Sequence, residues 1–251
     1  METSRFLSHL EDEFALLRAA VGAGDLATRV PSCPEWTVAD LAQHVGYVYL
    51  HKAESIRLGV SPKPWPPETV QPGSVALLDE MYATLTGTFE GRAPGDHAAT
   101  WHEPDQTVGF WIRRMTQETV IHRVDAELAL GGDVSPVPGD LAFDGVDEML
   151  KLFMGYGSVV WREDYGTLLD APDERVVTVA TGHHAWSVRA TPKGIEVQEA
   201  ATGFDGDALV SGEPAPLLLW LWNRTGDDAV RLSGDPALLT QFHTLRTAAT
   251  Q

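Results

Sequence analysis

Residues 108–130, VGFWIRRMTQETVIHRVDAELAL, carry the pattern around which the rest of the fold is predicted. The stretch predicts one long helix, which the Gly-Gly pair directly after it would end because glycine favours a helix C-terminus. Glu118, His122 and Asp125 stand at positions i, i+4 and i+7 of this helix. Side chains at this spacing share one helical face. The helix therefore presents a carboxylate, an imidazole and a second carboxylate in one direction.

Three further helices are predicted before this one. Apolar residues recur at helical spacing, with charges between them, over residues 4–21. A second helix is predicted from Thr37 to about residue 58, because Thr37 and Asp40 match a capping box. A third is predicted over residues 74–89. Four long helices joined by loops indicate a four-helix bundle.

The second half of the chain has a different pattern. Residues 131–140, GGDVSPVPGD, oppose regular structure and indicate a domain boundary. Beyond it, short segments rich in β-branched residues predict strands, and two later segments opened by proline predict helices. The strands are expected at 175–180, 185–190 and 194–199, and the helices at 214–223 and 236–246. We therefore predict an α+β protein, with the bundle over residues 1–135 and a small α+β domain over residues 140–251.

Composition restricts the partners and the cellular location. Thirty-six acidic residues against eighteen Lys and Arg give a formal charge of -18. A surface of this charge repels nucleic acid and anionic membranes. Cys33 is the single cysteine, so no internal disulfide can form. With no signal-peptide pattern and no apolar run near the roughly 20 residues of a membrane span, we expect a cytoplasmic monomer.

A second imidazole could join the face of the long helix. His44 lies mid-way along the second predicted helix, on its apolar stripe. If the two helices pack side by side, His44, Glu118 and His122 converge in the bundle, as metal ligands of helix bundles do. Chance alone, however, predicts roughly one acidic residue four positions before a histidine in a chain of this composition. On spacing alone, a solvated Glu–His pair and a buried structural histidine are more common explanations of these residues than a metal site.

Two segments carry a resemblance to a known family. VPSCPEWTVADLAQHVGYV, residues 30–48, and ETVIHRVDAELALG, residues 118–131, together resemble the signature segments of the mycothiol-dependent maleylpyruvate isomerase family. Members of this family have a DinB-like metal-binding four-helix bundle and a small C-terminal α+β domain. The resemblance implies that His44, Glu118 and His122 bind a divalent metal.

The resemblance also implies a reaction. Two imidazoles and a carboxylate suit Zn²⁺ and leave its fourth position open, as in catalytic zinc sites, although nickel, manganese or iron could bind the same set. Mycothiol, a low-molecular-weight thiol, would bind this metal as its thiolate and attack a small-molecule electrophile. The product could be an isomer, as with maleylpyruvate, or a stable conjugate made by an S-transferase. Two alternatives stay open: a non-catalytic stress protein that binds the metal and a small molecule, and a metal-dependent hydrolase with a metal-bound water.

A few other residues have predicted roles. Asp125 is expected to orient a metal ligand. Arg224 could hold a carboxylate of an anionic substrate, although an arginine near a helix C-terminus more often interacts with the helix dipole. Trp36 and Trp111 are expected to pack in the core. The sequence assigns no residue to binding of the thiol.

Overall fold

The chain forms two compact units, residues Met1–Ser135 and Pro136–Gln251, in a computed structural model. The model describes residues 1–200 and 206–250. The division into two domains with the bounds 1–135 and 140–251 stays a prediction. In the described residues, no helix combines the length and the apolar character needed to cross a membrane.

Four long helices build the first unit. They are α1 Thr3–Ala23, α2 Val38–Leu58, α3 Val75–Phe89 and α4 Val108–Ala129. Helix α4 packs against α1 and α2, and α2 packs against α3. Apolar side chains such as Leu10, Leu41 and Val120 are fully buried between them. The four predicted helices are confirmed, with bounds that differ by one or two residues.

Side-chain caps fix where these helices begin. The Thr37 hydroxyl accepts a hydrogen bond from the Asp40 amide, and the Asp40 carboxylate accepts one from the Thr37 amide at 2.8 Å. This reciprocal pair is the predicted capping box of α2. Thr107 caps α4 by accepting from the Phe110 amide at 3.2 Å. Both ligand-bearing helices of the predicted site therefore start at a fixed residue.

A small hairpin between α1 and α2 was not predicted. Strands β1 Arg29–Val30 and β2 Cys33–Thr37 pair antiparallel and lead directly into α2. Strand β1 also contacts α4. Prolines flank and interrupt this segment, so its sequence lacks the strand pattern that a longer hairpin would show. The hairpin holds Ser32 and Trp36 beside the faces of α2 and α4 that meet.

The proline-rich loop between α2 and α3 is attached to α2. The Gln71 amide donates to the Tyr47 hydroxyl at 2.6 Å, and the Gln43 side chain donates to the Gln71 carbonyl at 2.6 Å. Gly73 then passes so close to α2 that a Cβ atom there would lie 1.8 Å from the Ala39 carbonyl oxygen. A glycine is therefore required at this position for the loop to reach the helix.

The second unit contains a five-stranded sheet and several helices. Helix α5 Gly139–Glu148 continues through a π-helical stretch, Met149–Tyr156, into α6 Gly157–Val160. The sheet order is β5-β4-β3-β6-β7, with β3 and β6 parallel and the other neighbours antiparallel. The strands are β3 Val176–Thr181, β4 His184–Thr191, β5 Gly194–Ala200, β6 Ala208–Ser211 and β7 Arg231–Gly234, and the remaining helices are α7 Pro214–Leu221 and α8 Pro236–Ala248.

The predicted α+β class is confirmed, and the details of the second unit are confirmed in part. The three predicted strands correspond to β3, β4 and β5, and the two predicted helices to α7 and α8. Helix α7 stops at Leu221, before the predicted end at residue 223, because Asn223 takes a left-handed conformation with φ 59°. The helical region 139–160 and the four-residue strands β6 and β7 were not predicted, since short strands give little periodic signal.

Candidate functional site

Three side chains from α2 and α4 converge inside the first unit. His44 comes from α2, and Glu118 and His122 come from α4. One ligand atom of each residue lies within 4.8 Å of the other two. Glu118 Oε1 is 3.3 Å from Nε2 of His44 and 3.3 Å from Nε2 of His122. The structure therefore brings together the three residues that the resemblance named as metal ligands.

Neighbouring groups occupy the other polar atoms of these side chains. Arg114 Nη2 donates to Glu118 Oε2 at 2.5 Å, and His122 Nδ1 lies 3.0 Å from Asp125 Oδ2. Asp125 is fully buried, and its other oxygen accepts a hydrogen bond from the Ser32 hydroxyl at 2.5 Å. A proton held on Nδ1 of His122 turns Nε2 toward the cluster as an electron-pair donor. Asp125 therefore has the geometry of the orienting group that the sequence predicted.

The cluster strongly perturbs its own protonation. Burial by itself would raise the pKa of Glu118, but His122 and Arg114 outweigh it and hold that pKa well below its ordinary value. Burial would likewise lower the pKa of His122, yet Glu118 and Asp125 raise it to about 9. The carboxylates of Glu118 and Asp125 thus stabilise a positive charge on the His122 imidazole. The same carboxylate of Glu118 would stabilise a metal cation at this position.

The donor set suits a divalent metal. Two imidazole nitrogens and one carboxylate oxygen are ligands that Zn²⁺ accepts, and nickel, manganese and iron accept them as well. Both α4 ligands have their orientation fixed by a second hydrogen bond, to Asp125 or to Arg114. Metal-binding histidines usually have such a partner on the other ring nitrogen. We therefore find that the residues present fit the implied metal, with three protein ligands.

A pocket of about 730 Å³ opens beside the cluster within the first unit. His44 lines it, and the side chain of His44 is 36% exposed whereas that of His122 is 11% exposed. The ring of Trp36 lies 4.7 Å from the ring of His44. A ligand in the pocket would thus approach the cluster from the His44 side. The lining residues are Glu35, Trp36, Asp40, Gln43, His44, Tyr47, Val48, His51, Lys52, Trp65, Pro66 and Val70.

The two tryptophans predicted to be core have different environments. Trp111 is 1% exposed, so that prediction is confirmed. Trp36 is half-buried and forms part of the pocket wall, so the core prediction for it is wrong. The unpredicted hairpin explains the error, because β2 holds Trp36 at the edge of the pocket rather than between helices.

Sequence reasoning also missed some residues of the site. Arg114 is not among the predicted site residues, yet its guanidinium pairs with Glu118. Its position four residues before Glu118 was a usable signal, since oppositely charged residues at this spacing meet on a helix. Ser32 gave no such signal, because it is 93 residues from Asp125 in the chain.

Arg224 lies in the second unit, in the turn after α7. Its Nη1 donates to the Trp222 carbonyl at 2.6 Å, and its amide donates to the Leu219 carbonyl at 2.8 Å. These contacts show how the turn holds Arg224. A role in binding a substrate carboxylate stays a prediction.

Comparison with known proteins places this fold and site in a family. One family model, described as the mycothiol maleylpyruvate isomerase N-terminal domain, matches residues 7–127. A second, described as the MDMPI C-terminal domain, matches residues 140–241. The chain belongs to the mycothiol-dependent maleylpyruvate isomerase family. The predicted family is thereby confirmed, and it is a family of enzymes.

Solved structures show the same fold for this isomerase family. The crystal structure of the mycothiol-dependent maleylpyruvate isomerase matches with a TM-score of 0.63 and 17% identity, covering 94% of this chain and 95% of the other. A crystal structure of a histidine-to-alanine mutant of that isomerase matches with the same TM-score of 0.63, identity of 17% and coverage. No curated protein matches the chain by sequence.

Proposed function

We propose that this protein is a metal- and mycothiol-dependent isomerase that acts on a small electrophilic molecule. In this proposal, His44, Glu118 and His122 hold one divalent cation, with Zn²⁺ as the first candidate. The observation that carries it is the convergence of these three ligand atoms within 4.8 Å, beside a pocket, in a member of this family.

The metal and mycothiol would together supply a thiolate nucleophile. When bound, the metal and the thiol together provide a thiolate, which adds reversibly to a conjugated double bond and so frees that bond to rotate. A free thiol of pKa about 8.5 is mostly protonated at neutral pH, so sulfur ligation removes that limit. Whether the adduct reverts, as in an isomerase, or is released, as in an S-transferase, depends on the electrophile.

Residues around the cluster orient its ligands and balance the charge of Glu118. Asp125 keeps His122 in the orientation that points Nε2 at the cluster, and Arg114 holds the second oxygen of Glu118 away from it. Trp36 and Tyr47 form part of the pocket wall beside His44. Holding two reacting groups in attack geometry can be worth about 7–11 kcal/mol. Positioning is therefore the largest contribution that this site offers.

The hydrolase alternative receives less support from the geometry. A metal-bound water would need a general base close to the ion. Asp125 was the candidate, but it is fully buried and accepts from Ser32 while also contacting His122. These contacts suit an orienting role for Asp125 better than the role of a base for water.

A cobalt-substituted protein tests the proposal directly. We expect mycothiol to change the visible absorption of bound Co²⁺, because sulfur ligation gives a different spectrum from oxygen ligation. Glutathione should bind at least about tenfold more weakly, since it lacks the oriented polar contacts of the proper thiol. Turnover of maleylpyruvate then separates isomerisation from conjugation.

Two matched variants accompany this experiment. His122→Ala should lose both the cobalt and the spectral response, whereas His97→Ala, at an exposed position, should keep both. If mycothiol at concentrations well above a millimolar dissociation constant leaves the spectrum of the loaded protein unchanged, the thiol function is wrong.

A further inference from the structure

Lys52 lies in the pocket, two turns along α2 from His44. Eight residues separate the two, which corresponds to about 12 Å along the helix axis. Lys52 lines the pocket, and its Nζ lies 4.8 Å from the ring centroid of Trp111. Trp111 is in α4, two turns before Glu118. The ammonium group is therefore placed between the two helices that carry the metal cluster, at the side of the pocket.

The charge of Lys52 has no acidic partner in the part of the chain that the structure describes. Its Nζ contacts the ring of Trp111 and lies 3.3 Å from His51 Nδ1, and no carboxylate forms an ion pair with it. Lys151, by contrast, contacts both Asp147 and Glu199.

Neither the neighbouring acid nor the neighbouring imidazole compensates for this charge. The charge of Glu118 raises the pKa of Lys52 and the charge of Arg114 lowers it, and Arg114 itself binds the outer oxygen of Glu118 at 2.5 Å. Burial lowers the pKa of Lys52 to about 8, so the group is partly desolvated and still mostly protonated at neutral pH. His51 is neutral there, because burial and Lys52 lower its pKa to about 4. Lys52 can donate one hydrogen to this imidazole and keeps two more.

We propose that Lys52 is a specificity-determining residue of the pocket, which binds a carboxylate group of the electrophilic substrate. The inference rests on the proposed function for the identity of that substrate, but the anion site itself depends on Lys52 alone. A partly desolvated ammonium without a counter-ion is stabilised by any anion that reaches it. The ammonium of Lys52 is a point charge with several donor hydrogens, which matches one carboxylate.

The overall charge of the protein gives a local cation in the pocket a clear use. With a formal charge of -18, the chain repels an anionic substrate at long range. The Glu35 and Asp40 side chains on the pocket lining add to that repulsion. Lys52 offers a local positive charge within the same unit as the metal cluster. The pocket would therefore select an electrophile that carries a carboxylate.

Binding of maleate tests the proposal, with its neutral dimethyl ester as the matched ligand. The zinc-loaded protein is titrated by calorimetry without any thiol, so neither turnover nor thiol binding enters the measurement. We expect the wild-type protein to prefer maleate by at least tenfold. Lys52→Met should lose that preference and Lys52→Arg should keep most of it, while Lys193→Met, which removes an exposed lysine of the second unit, should behave as wild type.

The controls separate recognition from structure. Zinc content and thermal unfolding should change little in Lys52→Met, because methionine keeps an apolar stem of similar length. If that variant does not fold, Lys52→Gln takes its place with the same expected loss. An undiminished preference for maleate without Lys52 would show that the metal alone holds the carboxylate and would overturn the proposal. Failure of the cobalt–mycothiol experiment, in contrast, would overturn the thiol function and leave this anion site standing.

Discussion

Helix α4 carries two buried charged clusters on opposite faces, and their comparison separates a candidate site from a structural network. Toward α1, Arg123 donates to Glu13 at 2.8 Å and to Glu127 at 2.8 Å. Toward α2, Glu118 and His122 meet His44. Both faces use the same spacing of four residues, Glu118 with His122 and Arg123 with Glu127. Spacing alone therefore does not distinguish the two clusters.

The two clusters differ in the charged groups that lie between their acidic residues and in whether a ligand can reach them. On the α1 face, a guanidinium fully removed from solvent lies between two carboxylates and also donates to the Ser135 carbonyl at 2.7 Å. On the α2 face, two imidazole nitrogens and one oxygen point at one another, and a pocket of about 730 Å³ lies beside them. In the first cluster a guanidinium lies between the two carboxylates, whereas the second, although Arg114 binds one oxygen of Glu118, still turns three ligand atoms toward one another.

The largest expected effect is on stability, at the α1 face. Arg123→Met leaves Glu13 and Glu127 buried without their cation, which should cost about 3–5 kcal/mol of unfolding free energy. Urea denaturation measures it, with the exposed Arg92→Met as a control that should change stability by less than about 0.5 kcal/mol. Zinc content of the folded fraction should not change. Loss of zinc in Arg123→Met would show that the two faces are not independent.

The second prediction uses the two glutamates of α4 as a matched pair. Glu118→Gln should weaken zinc binding by at least about a hundredfold, because it removes a charged ligand. Glu127→Gln should leave zinc binding unchanged, since Glu127 contacts Arg123 and Ser135 instead. Elemental analysis and competition with a chelator measure both variants. Equal zinc content in the two would contradict the assignment of the site to the α2 face.

A smaller effect is expected from Asp125, which does not touch the ion in our proposal. Asp125→Asn should weaken zinc binding by about 10–100-fold, as for other residues that orient a metal-binding histidine. Ser32→Ala removes a hydrogen bond to that carboxylate and should act in the same direction, but less. An affinity in Asp125→Asn as low as in Glu118→Gln would make Asp125 a fourth ligand.

The last expected effect, no more than about tenfold per pH unit, is a dependence of zinc binding on pH. His122 has its pKa raised to about 9 in the metal-free protein, so it holds a proton at neutral pH that zinc must displace. Zinc affinity should therefore fall as pH is lowered from 9 toward 7, by up to about tenfold per pH unit. Calorimetry in buffers of different ionisation enthalpy counts the released proton. Zinc binding without proton release over this range would contradict the raised pKa.

The sequence was most informative about the four long helices. Their amphipathic patterns and caps, such as Thr37 with Asp40, are local features that the chain order shows directly. The hairpin over residues 29–37 and the helical region 139–160 lacked such signals. The stretch Met149–Tyr156 is a π-helix, so its side chains do not repeat with the 3.6-residue period of the α-helix from which helices are predicted.

The candidate site could be predicted in its ligands but less well in its surroundings. Spacing on α4 paired Glu118 with His122, and family resemblance added His44. The orienting contact of Ser32 with Asp125 and the place of Trp36 against His44 depend on how a hairpin folds back over two helices. Contacts of this kind join residues far apart in the chain, and a single sequence contains no periodic pattern that reports them.

The close approach of Gly73 to α2 limits how this pocket can diverge among relatives. A methyl group at position 73 would collide with the Ala39 carbonyl, so any other residue there must lift the loop from the helix. Lifting it would also strain the bonds between Gln71 and its anchors Gln43 and Tyr47. Loop length before residue 71 can vary without this penalty. Substrate range is therefore expected to evolve through insertions around Trp65. The end of the loop, at Gln71 and Gly73, would keep its contacts with α2.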